Sequence, residues 1–485
     1  MQNKRDQVQA HMFLMGRLTS SMLRADPDSP ESPQGRTNRG IAIGVIIAVL
    51  VTAGAFVFGL LSPGKKDSWR TSGELIVEKE TGARYLFLDG RLRPVRNYAS
   101  ARLLVGADLK AATVSAKSLR GTSVGSAIGI PGGPDRIPSE GQLSDAPWLL
   151  CSTPYGEDPD TVSTLAVASE VKGQPVSAER GIVAQGPDGS LYLLWSGMRL
   201  RLDEEKGARE SLGYGSVAPY KVAGSLLTSL PAGPDLAPPF IPGQGEPGPR
   251  LEDRETRIGQ VFGVSVMGAK EPRHYVLQQD GLRQIPVTVA ALILGDPETR
   301  KTAYADETPG VIGLGPEALR GQLAPQAPAR KSPMRLPDSP PEALNVPKEV
   351  SPCARIAPAD PGSTGTSISI TLADIGDLGQ PVQATSDVAA KACTQVDRVV
   401  VPPDTGVLVQ VLNASGTRGS TLYLVSGTGL KYRIPTEEAA KALGYETTPA
   451  QGLPSQLLGM LPHGPDLSPK AAQTGRRSVA GPLCN

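Results

Sequence analysis

Residues Ile41 to Leu61 read IAIGVIIAVLVTAGAFVFGLL, 21 residues without a charge. At about 1.5 Å of rise per residue, such a run crosses about 30 Å of hydrocarbon as a helix. The chain around it must therefore be divided between two sides of a membrane. About 40 mostly polar residues precede the run and no convincing small-x-small cleavage site follows it. A cleaved signal peptide has a shorter apolar region nearer its start, so this helix is expected to be retained. Gly44, Ala48 and Thr52 share one helical face and allow close helix contact, although small residues are ordinary in membrane helices.

Flanking charge does not set the orientation, because Arg24, Arg36 and Arg39 on one side face Lys65, Lys66, Arg70 and Lys79 on the other. The cysteines are more informative. Cys151, Cys353, Cys393 and Cys484 all follow the membrane run, and none lies in a C-x-x-C pair or Cys/His cluster suited to zinc. An even number on one side reads as two disulfides, against the alternative of four buried thiols. Disulfides persist in oxidising compartments. The expectation is thus a plasma-membrane protein with a cytoplasmic N-terminus and a large extracytoplasmic C-terminal domain.

The 49 basic and 48 acidic residues leave a net charge of +1, which gives nucleic acid no field to follow. Aromatic residues make up 4% of the chain, while 55 glycines and 46 prolines punctuate it, so small units joined by turns are expected.

Before the span, residues 5–24 place Val8, Met12, Met15 and Met22 on one stripe of an amphipathic helix, whose Met-rich face needs a partner protein or membrane surface. Residues 25–40 read as a tether.

After the span a pattern recurs four times: a tyrosine, a glycine five or six residues on, and a second glycine 20 or 21 residues after the tyrosine. The tyrosines are Tyr85, Tyr192, Tyr275 and Tyr423. The first glycines are Gly90, Gly197, Gly281 and Gly429, and the second are Gly106, Gly213, Gly295 and Gly444. The tyrosine segments are β-rich, the first glycine suits a tight hairpin, and in the last copy Thr436 and Gly444 suit the start and end of a helix. Each unit is therefore expected to be ββα. A block Leu-Leu-x-x-Leu-Pro-x-Gly-Pro-Asp-Leu-x-Pro runs from Leu226 to Pro238 and again from Leu457 to Pro469, with degenerate forms at Gly133-Pro134-Asp135 and Gly315-Pro316-Glu317.

Pro-rich stretches at 238–250 and 321–352 read as linkers or exposed straps, the second holding eight prolines. The Val-, Ser- and Thr-rich segments left over read as a β-core. The expected organisation is α+β: tail 1–40, span 41–61, repeat 1 at 62–139, core 140–185, repeat 2 at 186–250, repeat 3 at 251–320, linker 321–352, core 353–410, repeat 4 at 411–470, and a tail 471–485 closing on the core.

Candidate chemistry is sparse. Gly59-Leu-Leu-Ser-Pro-Gly64-Lys65-Lys66 approaches a phosphate loop but has lysine where Ser or Thr must hold magnesium, and its first half belongs to the span. Gly121-Thr-Ser123-Val-Gly125 matches a nucleophile-elbow string, yet only His274 and His463 lie beyond the membrane, and Ala232 matches His463 in the other block copy. The paired Glu204-Glu205 and Glu437-Glu438 suit helix starts. The reading assigns no catalytic, cofactor or metal residues, and no enzymatic role.

The strings RDQVQAHMFLMGRLTSSMLRADPD, YLFLDGRLRPVRNYASARLLVG, GIPGGPD and PWLLCSTP, with the two late blocks, resemble the EccB family of the actinobacterial type VII (ESX) secretion machine. The resemblance runs nearly the whole length. It implies a structural subunit of an inner-membrane complex with an EccC-type ATPase, EccD, EccE and a mycosin protease, and an elongated periplasmic domain of four repeats about a disulfide-tied β-core. It also implies self-association and a Cys151–Cys353 disulfide, leaving Cys393 and Cys484 as a pair by remainder. The family has been discussed in terms of ATP hydrolysis and likened to cell-wall-binding modules. Peptidoglycan attachment is therefore the main rival reading and an ATP-hydrolysing subunit the next. Trp69, Trp148 and Trp195 do not recur in register as a sugar-binding row would.

Overall fold

The computed structural model describes residues 4–24, 33–61, 68–70, 73–154, 161–266, 268, 271–325, 335–358, 366–383, 389–413, 416–445 and 450–476. It divides into two compact bodies, Met1–Ser72 with Thr113–Gly121, and Gly73–Ala112 with Thr122–Asn485. Residues 25–32, half of the expected tether, and the end of the phosphate-loop-like run lie outside the described residues.

The first body holds the helices Lys4–Arg24 and Pro33–Leu61, a 3-10 turn Ser68–Arg70 and a short helix Ala116–Leu119. Within the second helix, Thr37–Val57 is long and apolar enough to cross a membrane and is entirely unburied. This helix starts ahead of the expected Ile41. Proline is preorganised for a first helical turn, and Pro33 begins this one, so residues 33–40 are helical and not part of a tether.

The second body is mixed α+β, and its four like sheets, each with its helix, are its units, numbered along the chain. Four of its sheets share one strand order, third–second–first–fourth along the chain. Their strands are Glu74–Glu78, Arg84–Leu88, Arg91–Pro94 and Lys110–Val114; Arg180–Gln185, Leu191–Trp195, Met198–Arg201 and Tyr220–Lys221; Val261–Val264, Arg273–Gln278, Gly281–Ile285 and Ile312–Leu314; and Val407–Leu412, Arg418–Val425, Lys431–Ile434 and Gln451–Pro454. A helix follows each third strand: Tyr98–Val105, Ala208–Ser211, Val287–Gly295 and Glu437–Leu443. In the second, third and fourth sheets the last strand pairs parallel with the first. The ββα expectation is too small. A strand precedes each tyrosine strand, and the helix is a crossover that returns the chain to the far edge, as parallel pairing requires.

A six-stranded central sheet runs in the order Arg398–Val400, Thr161–Ala166, Trp148–Pro154, Val350–Pro358, Thr366–Asp374, Gln174–Pro175. Its strands alternate faces with period two. Trp148, Leu150, Leu165, Ala354, Ile356 and Ile370 enter the largest core, while Leu149, Cys151, Ala166, Cys353 and Ala373 form a smaller one behind them. Cys151 and Cys353 lie directly opposite each other on antiparallel neighbours and are disulfide-bonded.

The expected core boundaries shift, because Arg180–Gln185 and Val407–Leu412 belong to the second and fourth sheets. The Pro-rich stretches are also corrected in part. Ile241 is buried in the third unit's core. Glu342–Ala343 pairs with Arg180–Gln185, and Leu344 packs on the largest core. Proline limits regular pairing, but the apolar residues between the prolines still bury.

Candidate functional site

The recurrent tyrosines occupy one place in their sheets. Tyr85, Tyr192, Tyr275 and Tyr423 lie opposite Ile76, Ala184, Phe262 and Val409 on the first strand, and opposite Pro94, Arg201, Gln284 and Arg433 on the third. The first glycines are less uniform. Asp89-Gly90 and Ser196-Gly197 have positive φ at both positions, the backbone of a two-residue type I′ hairpin. Gly281 begins a strand, and Gly429 lies in a longer loop between paired Val425 and Lys431. Among the second glycines, Gly106 and Gly444 close helices with positive φ and Gly213 follows one. Gly295 is required for space, since a Cβ there would lie 2.2 Å from Ser211 Cβ.

The second and fourth units seat on the central strand Trp148–Pro154. Trp148 Nε1 donates to Gln451 Oε1 at 3.0 Å, and Ala223 N donates to Ser152 Oγ at 2.8 Å. Gln451 opens the fourth strand of its unit, opposite Val409, and Tyr220 opens the matching strand opposite Ala184. The helices Gly224–Ser229 and Ser455–Gly459, which open the two block copies, pack on each other. Their Leu226, Leu227, Leu230, Leu457, Leu458 and Leu461 join Trp148 and Leu150 in one core.

Beyond each helix the block seals the edge of the third strand. Arg199 N donates to Pro231 O at 3.0 Å and Gly233 N to Arg199 O at 2.9 Å; Lys431 N donates to Pro462 O at 3.1 Å and Gly464 N to Lys431 O at 2.9 Å. Covered edges do not recruit stray strands. The side chains of the same two residues cap the helices: an Arg199 Nη donates to Leu227 O, and Lys431 Nζ donates to Leu458 O at 2.6 Å. A cation at a helix C-terminus meets the negative end of its dipole. In the first and third units the matching edge residues are Leu92 and Leu282. The elbow-like string Gly121–Gly125 takes part in this edge seal, with Ser123 O accepting from Leu92 N at 2.9 Å and Gly125 N donating to Leu92 O at 2.9 Å. The sequence reading missed Arg199 and Lys431. Their signal was a basic residue at one strand position only in the two copies that carry the full block.

The fourth unit adds buried polar chemistry. Arg433 grips Asp466 with two hydrogen bonds, Nε to Oδ1 at 3.0 Å and Nη2 to Oδ2 at 2.6 Å, and Asp466 is 2% exposed. The bond to Asp466 raises the Arg433 pKa further. Lys431 is 2% exposed, and burial pushes its ammonium down to about 8, while the Leu458 carbonyl favours the charged form. Behind the central sheet, a groove of about 1190 Å³ lined by Ala166, Val171, Leu372, Leu378 and Val400 lies beside the disulfide core. Cys393 is disulfide-bonded, and Cys484 lies outside the described residues. On the helix Lys4–Arg24, Val8, Met12, Met15 and Met22 are all more than half exposed.

The family model described as type VII secretion system ESX-1, transport TM domain B, matches residues 2–481. The chain belongs to this family, EccB. It is therefore a membrane component of type VII secretion. It is 28% identical to the ESX-3 secretion system ATPase EccB3 of Mycolicibacterium smegmatis, across 96% of this chain and 89% of that protein. It is 27% identical to the ESX-1 secretion system ATPase EccB1 of Mycobacterium tuberculosis, across 96% and 93%. Among solved structures, the EccB3 dimer from the ESX-3 core complex superimposes with a TM-score of 0.65 at 26% identity, covering 84% of this chain and all of that one. A chain of an intact ESX-5 inner membrane complex shares the fold, with a TM-score of 0.68 at 22% identity over 99% and 97%. The reading that assigned no enzymatic role is corrected by these names, since the EccB1 and EccB3 relatives are each called a secretion system ATPase. That reading rested on a missing phosphate-loop string, which tests only one of the geometries that bind nucleotides.

Proposed function

We propose that this EccB-family chain is a structural subunit that supports assembly of a type VII secretion complex in the plasma membrane and forms part of its periplasmic face. The observation that carries this reading is the family match across residues 2–481, which takes in the apolar helix and the disulfide-tied sheet together. In this reading the N-terminus is cytoplasmic, because a disulfide closing a 202-residue separation belongs in an oxidising compartment. The four sheet units are copies of one repeat, and Cys393 pairs with Cys484. The exposed Met-rich face of the helix Lys4–Arg24 docks on cytoplasmic partners of the complex, of the EccC, EccD and EccE kind, with the mycosin protease outside. The outer domain associates with a second copy, as the EccB3 dimer does.

The test is labelling of intact cells with a membrane-impermeant maleimide, before and after reduction, with single cysteines placed in the N-terminal tail. The native cysteines should label only after reduction, and the tail should not label. Labelling of the tail with a protected outer domain would invert the orientation and end the proposal. A second reading, ATP hydrolysis, is favoured by the relatives' names. Turnover by the assembled complex that falls when this subunit alone is varied would support it. Co-sedimentation with isolated peptidoglycan tests the cell-wall reading.

A further inference from the structure

The two block copies differ at four positions, Thr228/Gly459, Ser229/Met460, Ala232/His463 and Ala237/Ser468, and one of these sets a buried titratable ring in the fourth unit where the second has an exposed alanine. His463 in the fourth unit matches Ala232 in the second, each lying against the capping cation of its own unit: Lys431 pairs with His463 and Arg199 with Ala232 in isolated bridges. His463 is 3% exposed. Its backbone is clamped to Ala390, with N donating to Ala390 O at 2.9 Å and its carbonyl accepting from Ala390 N at 2.8 Å. Its ring meets Tyr423 edge-on at 6.4 Å, and Nδ1 lies against Gly464 O.

Charged groups face it from each neighbouring element. The third strand contributes Lys431 and Arg433, the block itself contributes Asp466, and the clamping segment contributes exposed Lys391. From the second strand, Tyr423 is the titratable group against its ring. Asp466 is gripped by Arg433, and Lys431 has no ion pair among the described residues, its ammonium being held by a carbonyl. A proton on His463 would therefore add a second buried cation beside Lys431, with the carboxylate of the cluster already matched to Arg433. In the second unit Ala232 cannot acquire that charge.

We propose that the fourth unit's block, residues 457–467, is an acid-released latch: protonation of His463 beside Lys431 loosens the block from the shared core, while the second unit's block stays seated.

The sign follows from the surroundings. Burial lowers the His463 pKa first, the Gly464 carbonyl opposes this, and Lys431 lowers it again. A histidine depressed in the folded state takes up its proton more readily once the block opens. Its contribution to seating is complete above the ordinary histidine value of about 6.5 and is lost as pH falls below it. Burial of Lys431, whose pKa is about 8, has the same sign at higher pH, so this lysine is already charged when His463 titrates.

The experiment is hydrogen–deuterium exchange of the full chain in lipid nanodiscs at pH 7.5 and 5.5, corrected for intrinsic exchange rates. Carboxylates with ordinary values of about 4 stay ionised across this range. Peptides covering 457–467 should lose protection several-fold more than peptides covering 226–236. His463→Ala, which copies the second unit, should abolish the difference. His463→Gln, which keeps a polar side chain that does not titrate, should do the same and covers a folding failure of the alanine variant. Equal change in the two blocks of the unaltered chain would overturn the proposal, as would an acid loss that persists in either variant.

Discussion

The second and fourth units differ from the first and third in one set of residues and, with it, in what they rest on. The second and fourth carry the full block and a capping cation, Arg199 or Lys431, and both contact the central strand. Each also follows its second glycine with a tyrosine whose hydroxyl reaches a proline carbonyl, Tyr214 to Pro341 at 2.8 Å and Tyr445 to Pro138 at 2.6 Å. The first and third have Leu92 and Leu282 at the cation's place and attach through helices instead. Tyr98–Val105 packs on Glu437–Leu443, and Val287–Gly295 on Ala208–Ser211. One strand order thus serves two positions, and the block decides which.

The largest effect should come from the central sheet that both seated units share. Replacing Cys151 and Cys353 together with alanine frees a 202-residue separation, which chain entropy values at about 5 kcal/mol. Denaturant unfolding should show this loss, with the second and fourth units becoming protease-sensitive together. Asp466→Ala should cost about 3–5 kcal/mol, because it strands Arg433 in a part-buried site. Its damage should map to the fourth unit and to the helix Tyr98–Val105 packed on it, and leave the third unit intact.

Leu458→Ala removes a fully buried block leucine and should cost about 2–5 kcal/mol. Leu323→Ala at the third unit's sealed edge, where the side chain is 55% exposed, should fall within about 0.5 kcal/mol of the unaltered chain. Comparable losses for the two would break the distinction between seated and attached units. A modest effect is expected of Asn97→Ala, at about 1 kcal/mol, since Asn97 Oδ1 caps the helix Tyr98–Val105 through Ser100 N at 3.0 Å. It should speed exchange in the first unit alone.

Sequence showed the parts of this arrangement that repeat as letters. The uncharged run, the tyrosine register and the two blocks can all be read from spacing, because hairpins and proline turns need particular residues at particular places. The first strand of each unit could not be read that way. ELIVE, RGIVAQ, VFGV and VLVQVL share apolar character but no motif, since a buried central strand asks only for volume and β-branching. The Pro-rich straps misled for the opposite reason. Their prolines suggested exposure, while Ile241 and Leu344 between them supply the apolar area that buries. Arg199 and Lys431 were visible as letters, but their role depends on a carbonyl 27 or 28 residues away that only the fold brings near.

The second and fourth units and the disulfide-tied sheet are expected to form one cooperative assembly on which the other two units depend. Native-state hydrogen exchange of the full chain at neutral pH measures this directly. Peptides from Trp148–Pro154 and from both block helices should open with one shared and highest free energy, with the third strands Arg91–Pro94 and Gly281–Ile285 opening at lower cost. Slower exchange in the first or third unit than in the central strand would contradict the claim.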